Sequence, residues 1–461
     1  MTNNIILNAD SYKASHFLQY PPNTTHVSSY IESRGGKYEK ALFFGLQFFL
    51  KEYLTKPITL ADVNEANEFY SLHGVPFHKE GWENIVNKHG GYLPLEIEAV
   101  AEGAVNTVKN VMAQVVNTDP ECFWLTSYIE TAILRAIWYP TTVATLSYYC
   151  KQTIKEFLER TADNIDGLPF KLHDFGARGA SSMETASLGG AAHLVNFMGS
   201  DTLSGILAAN RYYNEKMAAF SIPAAEHSTI TSWGKENESK AYENMLDQFS
   251  GEGKLVAVVS DSYDLWNAID NIWGDELKQK VIDNGGTVVI RPDSGEPIDI
   301  VLKTLQKLML KFGYRTNSKG FKVLPDYIRV IQGDGVSPDM IRSILFNLEL
   351  NGISADNLAF GMGGELLQKT DRDTLKFAMK ASAVKKDGVW NDVYKDPITD
   401  IGKRSKKGRL ALVRNTEGSD VESVRLDDLN GRDNLLSPVF RNGEILKDYT
   451  LSDVRERSNS Q

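Results

Sequence analysis

From Phe170 onward the chain repeats one pattern: a short apolar run, a polar or glycine-rich turn, then apolar positions at helical spacing. FKLHDFGARG leads into the small-residue stretch SSMETASLGGAAHLVNF, and KLVAVVSDSYD into LWNAIDNIWGDEL. GTVVIRPDSGEP precedes DIVLKTLQKLMLKFG, YIRVIQGDGV precedes a helix from about Pro338, and NLAFGMGG precedes ELLQKTDRDTLKFAMK. Strands alternating with amphipathic helices imply βαβ units and a parallel sheet. The fold class is therefore α/β. This many units point to an α/β barrel, with a doubly wound open sheet as the alternative.

Outside this region the pattern is mixed. ALFFGLQFFLKEYL (Ala41 to Leu54) reads as an apolar helix and LPLEIEAVAEG (Leu93 to Gly103) as an alternating strand and turn. The closing ERSNSQ reads as a frayed end. A chain of 461 residues exceeds what one core organises, so a second, smaller domain is expected.

In both α/β architectures ligands sit at the carboxyl ends of the strands. The turns HDFGARG, SDSYD, RPDSG, QGDG and GMGG would then gather at one rim. Singly, each is most simply a loop or helix cap. Together, with Arg178 and Arg291 among them, they point to a ligand site. Glycine turns that open helices present N–H groups to phosphate, although neither dinucleotide-binding nor P-loop spacing is present. The arginines suit phosphates or a flat ring, and Asp261, Asp264, Asp293 and Asp334 suit ribose hydroxyls or Mg²⁺. The same acids paired with the arginines would only hold loops. His227, in AAEHSTITSWG before a helix start at Ser228 or Thr229, is a candidate nucleophile or proton carrier; a lone histidine is more often structural.

Composition narrows the partners. A hydrophobic fraction of 42% with 24% charged residues is that of an ordinary globular protein. A net charge of −10 disfavours nucleic acid, whose binding rests on phosphate neutralisation. No apolar run approaches the roughly 18 residues of a membrane span, and the N-terminus lacks a secretory pattern. Two cysteines, Cys122 and Cys150, argue against a disulfide framework and suit a reducing cytoplasm. KRSKKGR, ending at Arg409, holds five of the fifty basic residues and reads as a solvated loop or an anion patch.

At this point the motifs resemble a known family. DSYKASHFLQYPPNT, NTDPECFWL, LHDFGARG, SIPAAEHSTITSWG, VVSDSYD, IRPDSG, RVIQGDG and KDP…KRSKKGRL, in this order, are similar to the nicotinamide phosphoribosyltransferases. The resemblance implies an irregular α/β barrel of the type II phosphoribosyltransferases, with a second α+β domain built from both chain ends. The corresponding boundaries are 146–384 for the barrel and 1–145 with 385–461 for the other domain. It implies transfer of phosphoribosyl from phosphoribosyl diphosphate to nicotinamide, giving nicotinamide mononucleotide and diphosphate. It further implies a homodimer, Mg²⁺, and ATP that phosphorylates His227.

Residue by residue, the resemblance implies that Phe175 and Tyr12 of the partner subunit sandwich the pyridine, with Arg291 at its edge. Asp201 accepts from the carboxamide. Asp293, Gly333, Asp334, Gly363 and Gly364 surround the ribose and 5′-phosphate. Arg178, Arg291 and His227 face the diphosphate, while Arg34, Arg372, Lys380 and Lys395 reach in from the partner. Asp264 lies near the metal and ribose. His227, Asp293 and Arg291 are the residues assigned to catalysis. Two positions depart from the pattern: Ala177 stands where animal members carry tyrosine, and GMGGELLQ stands for GSGGGLLQ, changing Met362 and Glu365. A nicotinate-specific transferase and a non-catalytic nucleotide-binding protein are the alternatives. A barrel aldolase or phosphatase would need a lysine nucleophile or a strand-end metal cluster, and neither is evident.

Overall fold

The computed structural model describes residues 4–399 and 404–460. Its contacts divide into two units: residues 1–145, 208–216 and 371–461 form one, and residues 146–207 and 217–370 the other.

The second unit is built on a parallel sheet. Its strands lie in the order Gly199–Ser200, Leu172–Asp174, Leu358–Met362, Ile328–Gln332, Thr287–Arg291 and Leu255–Val259. Every pairing is parallel. The first and last strands each make a further parallel bridge, Gly199 to Phe220 and Ala224 to Ala257. The segment between Phe220 and Ala225 thus bonds to both edges: Ser200 N–H donates to Phe220 O at 3.2 Å, and Ala225 N–H donates to Ala257 O at 2.9 Å. Read around the ring, the strands follow chain order, so the architecture is a barrel rather than an open sheet. It is irregular because one wall is an extended segment with single bridges.

Buried β-branched side chains make these strands. Val256, Val258, Val288, Ile290, Ile328 and Val330 are each at most 1% exposed. The helices that follow have clear start signals. Glu296 caps Pro297–Phe312 by accepting from Asp299 N–H, and Ser337 caps Pro338–Leu350 by accepting from Met340 N–H. Each has proline in its first turn, where the missing N–H costs nothing.

The first unit carries an antiparallel seven-stranded sheet in the order Val389–Asp392, Phe377–Lys386, Thr24–Ser33, Val111–Asn117, Leu95–Ala99, Ser437–Arg441 and Glu444–Ile445. Leu95–Ala99 alternates buried and half-buried residues, as its sequence predicts.

Several local expectations need correction. ELLQKTDRDTLKFAMK is not one helix: Gly364–Leu367 makes a single turn, and Phe377–Lys386 is a strand paired along its length with Thr24–Ser33. The ladder to residues near the other chain end moves 371–384 into the first unit, so the barrel unit closes at 370 instead of 384. ALFFGLQFFLKEYL opens as the end of a short strand, Lys40–Leu42, and becomes helical only from Leu46, after Gly45 turns the chain at φ 102°. The chain end is helical from Leu451 to Asn459, started by a reciprocal Thr450–Asp453 cap. The helix after Glu226 begins at His227, one residue earlier than expected, because Glu226 takes the cap position.

Candidate active site

Every strand end of the barrel unit delivers its turn to one side. The result is a cleft of about 730 Å³ lined by Phe175, Ala177, Arg178, Gly179, Asp201, His227, Arg291, Asp293, Gly333, Asp334, Gly363 and Gly364, among others. Four of the predicted turns, HDFGARG, RPDSG, QGDG and GMGG, thus line one cleft, while SDSYD stands behind it, bonded to His227 through Ser262 and to Asp293 through Asp261.

One wall is a glycine shelf for an aromatic ring. Phe175 N–H donates to Met362 O at 2.9 Å, anchoring its loop to the neighbouring strand end. A Cβ on Gly361 would fall 1.9 Å from Phe175 Cε2, and one on Gly333 would fall 3.4 Å from the same atom. The ring therefore rests on backbone. Gly361 was not legible as a site residue; its only trace in the sequence is a glycine inside a strand pattern, a mark of close approach.

Beside that ring stands Asp201. Its Oδ1 accepts from His173 Nε2 at 3.2 Å and from the Ser221 hydroxyl. Burial pushes the Asp201 carboxyl up, but these two hydrogen bonds and the nearby charges of His173 and Arg291 outweigh it and hold the group below the usual carboxylate range. The site therefore presents an anion. Asp174, fully buried one strand away, is pushed up by burial.

The opposite wall is acidic and carries the histidine. His227 Nε2 lies 3.3 Å from Asp293 Oδ2 and 3.9 Å from Asp261 Oδ1, while its Nδ1 is 2.9 Å from Ser262 Oγ. Asp261 holds the RPDSG turn: its Oδ2 accepts from Asp293 N–H at 3.0 Å and Ser294 Oγ at 2.5 Å. Its Oδ1 is buried without a hydrogen-bond partner, as is Arg291 Nε, which lies 3.7 Å from Asp293 Oδ1. The arginine and aspartate that end the Thr287–Arg291 strand thus both reach the cleft.

Asp264 is placed differently. It starts the next helix, its Oδ1 accepting from Trp266 N–H at 2.9 Å and Asn267 N–H at 3.1 Å, and it does not line the cleft. Both acids of SDSYD look alike in sequence, but the first lies behind the cleft against Asp293 and His227, and the second is taken up by the helix start. The residues that fit Mg²⁺ by donor chemistry are instead Asp261, with its orphan buried oxygen, and Asp293. Mg²⁺ is commonly held by one or two carboxylates plus substrate phosphates. Among the described residues, the one three-membered group with ligand spacing is His89, Asp119 and Cys122, in the first unit. There Asp119 Oδ2 already takes His89 Nε2 and Lys88 Nζ, each at 2.7 Å, and burial pushes the Cys122 thiol up to about 12. That group is a hydrogen-bonded lock.

The remaining predicted residues lie in the first unit. Tyr12 is 59% exposed, with its ring edge-on to His16. Burial pushes the Lys380 ammonium down; Glu130 opposes this, and Arg34, Lys13 and Lys395 add like charge. Arg34, Lys380 and Lys395 are thus one cationic cluster, and Arg34 Nε and Nη2 are buried without hydrogen-bond partners. Arg372 is exposed, its nearest acid Asp373 at 3.6 Å. The basic run is spent partly inside its own unit: Arg404 pairs with Asp396 at 2.6 Å and Lys406 with Glu32. Lys403 lies outside the described residues.

The chain matches the model of the nicotinate phosphoribosyltransferase family over residues 170–444 and that of the nicotinamide phosphoribosyltransferase N-terminal domain over residues 4–97. It is 54% identical to the nicotinamide phosphoribosyltransferase of Xanthomonas campestris, covering 99% of this chain and 98% of that one. It is 31% identical to the enzyme of the same name from Acinetobacter baylyi, over 98% and 96% of the two chains. Among solved structures, nicotinate-nucleotide pyrophosphorylase from Pyrococcus furiosus superposes with a TM-score of 0.64 at 15% identity, covering 100% of this chain and 96% of that one. Human nicotinic acid phosphoribosyltransferase gives 0.60 at 14%, over 98% and 92%. These two likenesses speak to the fold.

Proposed function

The chain belongs to the nicotinate phosphoribosyltransferase family, and from that premise we propose that it is a nicotinamide phosphoribosyltransferase serving NAD biosynthesis. The ring nitrogen of nicotinamide attacks C1 of phosphoribosyl diphosphate. The C1–O bond breaks, its electron pair leaves with diphosphate, and nicotinamide mononucleotide results.

The observation that carries this reading is Asp201. An aspartate held anionic beside the Phe175 ring accepts from a carboxamide N–H₂ and repels a carboxylate. This disfavours the nicotinate reading that the family name alone would suggest. Retention of the whole rim disfavours a merely nucleotide-binding role.

The chain's part in the chemistry is positioning and charge. Phe175, seated on Gly361 and Gly333, offers one face to the pyridine. Arg291 stands where ring edge and phosphate meet. Asp293, with Gly333, Asp334, Gly363 and Gly364, surrounds the ribose and 5′-phosphate, and its carboxylate favours the positive charge that grows on the sugar as C1–O stretches. Arg178 and His227 face the leaving diphosphate. Bound Mg²⁺, at Asp261 and Asp293, would neutralise charge on that leaving group. ATP is proposed to phosphorylate His227, whose ring is oriented by Ser262 at Nδ1 and Asp293 at Nε2.

The family's arrangement completes the site in a homodimer. Tyr12 of the partner subunit covers the pyridine, and Arg34, Arg372, Lys380 and Lys395 of the partner subunit supply cations for diphosphate. The exposed Tyr12 ring and the two Arg34 guanidinium nitrogens left without hydrogen bonds, with Glu32 Oε1 no nearer than 3.7 Å to Nε, support this role. No helix among the described residues is long and apolar enough to cross a membrane; cytoplasmic location is part of the proposal.

The deciding experiment supplies phosphoribosyl diphosphate, Mg²⁺ and ATP with nicotinamide or nicotinate in separate reactions and measures mononucleotide. Nicotinamide is preferred, and Asp201→Asn loses or reverses that preference. Product from neither base would overturn the assignment.

A further inference from the structure

Behind the amide-reading carboxylate stands a residue that does not line the cleft. His173 Nε2 lies 3.2 Å from Asp201 Oδ1, and its ring centroid is 5.0 Å from that of Phe175, with the planes at 46°. The imidazole is itself confined: a Cβ on Gly199, the paired residue of the adjacent strand, would fall 2.6 Å from His173 Nδ1. The side chain is 15% exposed, whereas that of Asp201 is 48% exposed. An exposed aspartate ordinarily rotates and is well solvated. Here two donors, His173 and Ser221, converge on one oxygen and come from two different barrel segments. Oδ2 is left without a protein partner among the described residues, on a side chain that lines the cleft.

We propose that His173 is a specificity-positioning residue: by donating to Asp201 Oδ1 it locks the carboxylate in one orientation and dedicates Oδ2 to the carboxamide N–H₂ of the base. The donor must be Nε2–H, because an ionised carboxylate can only accept. Selectivity for an amide over an acid then depends on a fixed anion, since a mobile one meets an amide no better than water does. The same ring supports the edge of Phe175, so the two groups that recognise the base are referenced to one imidazole. Ser221 shares the task on Asp201 but touches neither Phe175 nor the strand carrying it in any bond described.

This inference rests on the nicotinamide reading above, and the test separates the two. Wild type, His173→Gln and His173→Asn are compared in steady state with nicotinamide and with nicotinate. Glutamine can place an N–H near the position of Nε2; asparagine, one carbon shorter, cannot. For His173→Asn the nicotinamide KM rises about tenfold, the size expected for loss of a hydrogen bond to a charged group. Its preference over nicotinate falls by a similar factor, while the KM for phosphoribosyl diphosphate stays within about twofold. His173→Gln remains within about threefold of wild type in both respects. Equal behaviour of the two variants, whether both intact or both impaired, would overturn the proposal, as would a rise in the KM for phosphoribosyl diphosphate matching that for nicotinamide. A wild type inactive with nicotinamide would instead refute the functional reading itself.

Discussion

Replacing Gly361 by alanine would insert a methyl group where an aromatic ring already stands. The added carbon would lie 1.9 Å from Phe175 Cε2, 2.3 Å from Cδ2 and 2.9 Å from Cζ. Carbon atoms in contact prefer about 3.5–4.0 Å, so the ring must retreat by roughly 1.5–2 Å. It cannot retreat with its backbone, because Phe175 N–H is bonded to Met362 O at 2.9 Å. Nor can it pass over Gly333, whose backbone borders the same ring edge. The ring must turn about its side-chain bonds into the space assigned to the pyridine. Misplacement by about 1 Å at a reacting centre costs on the order of 100-fold, so kcat/KM for nicotinamide should fall by about that factor. Relief of overpacking should also cost about 1–3 kcal/mol in stability. The assay is the initial rate of mononucleotide formation with nicotinamide varied at saturating phosphoribosyl diphosphate, beside a thermal melt. A variant with lowered Tm but an unchanged KM for nicotinamide would refute the claim that the backbone gap sets the ring.

Two further outcomes are expected. His227→Ala should abolish ATP stimulation and raise the KM for phosphoribosyl diphosphate, leaving nicotinamide binding measured by calorimetry nearly unchanged; ATP stimulation that survived would remove His227 from the phosphoryl role. Asp119 gives a pH test of stability: burial alone would raise its carboxyl, but hydrogen bonds from Lys88, the Glu121 N–H and His89 hold it at about 2, below the ordinary 3.8. A group with a depressed folded-state pKa stabilises above its unfolded value and loses that contribution as pH falls through the folded one. Asp119→Asn should therefore lower the urea midpoint at pH 7, and the gap to wild type should narrow between about pH 4 and pH 2; a gap independent of pH would show that charge is not the cause.

The alternation of apolar runs, turns and helices was legible because it is local. A buried strand such as Val288 to Ile290 must be apolar on both faces, and a helix start such as Glu296-Pro297 carries its own cap. The rim followed from that alternation, since parallel strands send all their carboxyl ends to one side. Arg178, Arg291, Asp293 and Asp334 were named from that alternation and His227 from its own segment, whereas Phe175, Asp201, Gly333, Gly363 and Gly364 came from the family resemblance; the structure brings all of these into one cleft. What the sequence left open depends on neighbours distant in the chain. Closure of the sheet into a ring rests on Phe220 to Ala225, a segment with no strand periodicity, held by single bridges to two edges. The strand at Phe377–Lys386 looked like a helix because its partner lies near the opposite chain end, and ladder bonds outweigh local propensity. Asp261 and Asp264 differ only in which one reaches the strand end and which one starts the helix. His173 carries no sequence mark of its role, and Gly361 only that of a glycine inside a strand, because what makes them matter is a ring and a carboxylate delivered by other strands. Local chemistry marked which residues could serve a ligand rim, and the family motifs gave that rim its phosphoribosyl and base; only tertiary packing decided which atoms face it, because orientation is fixed by contacts that the linear order does not contain.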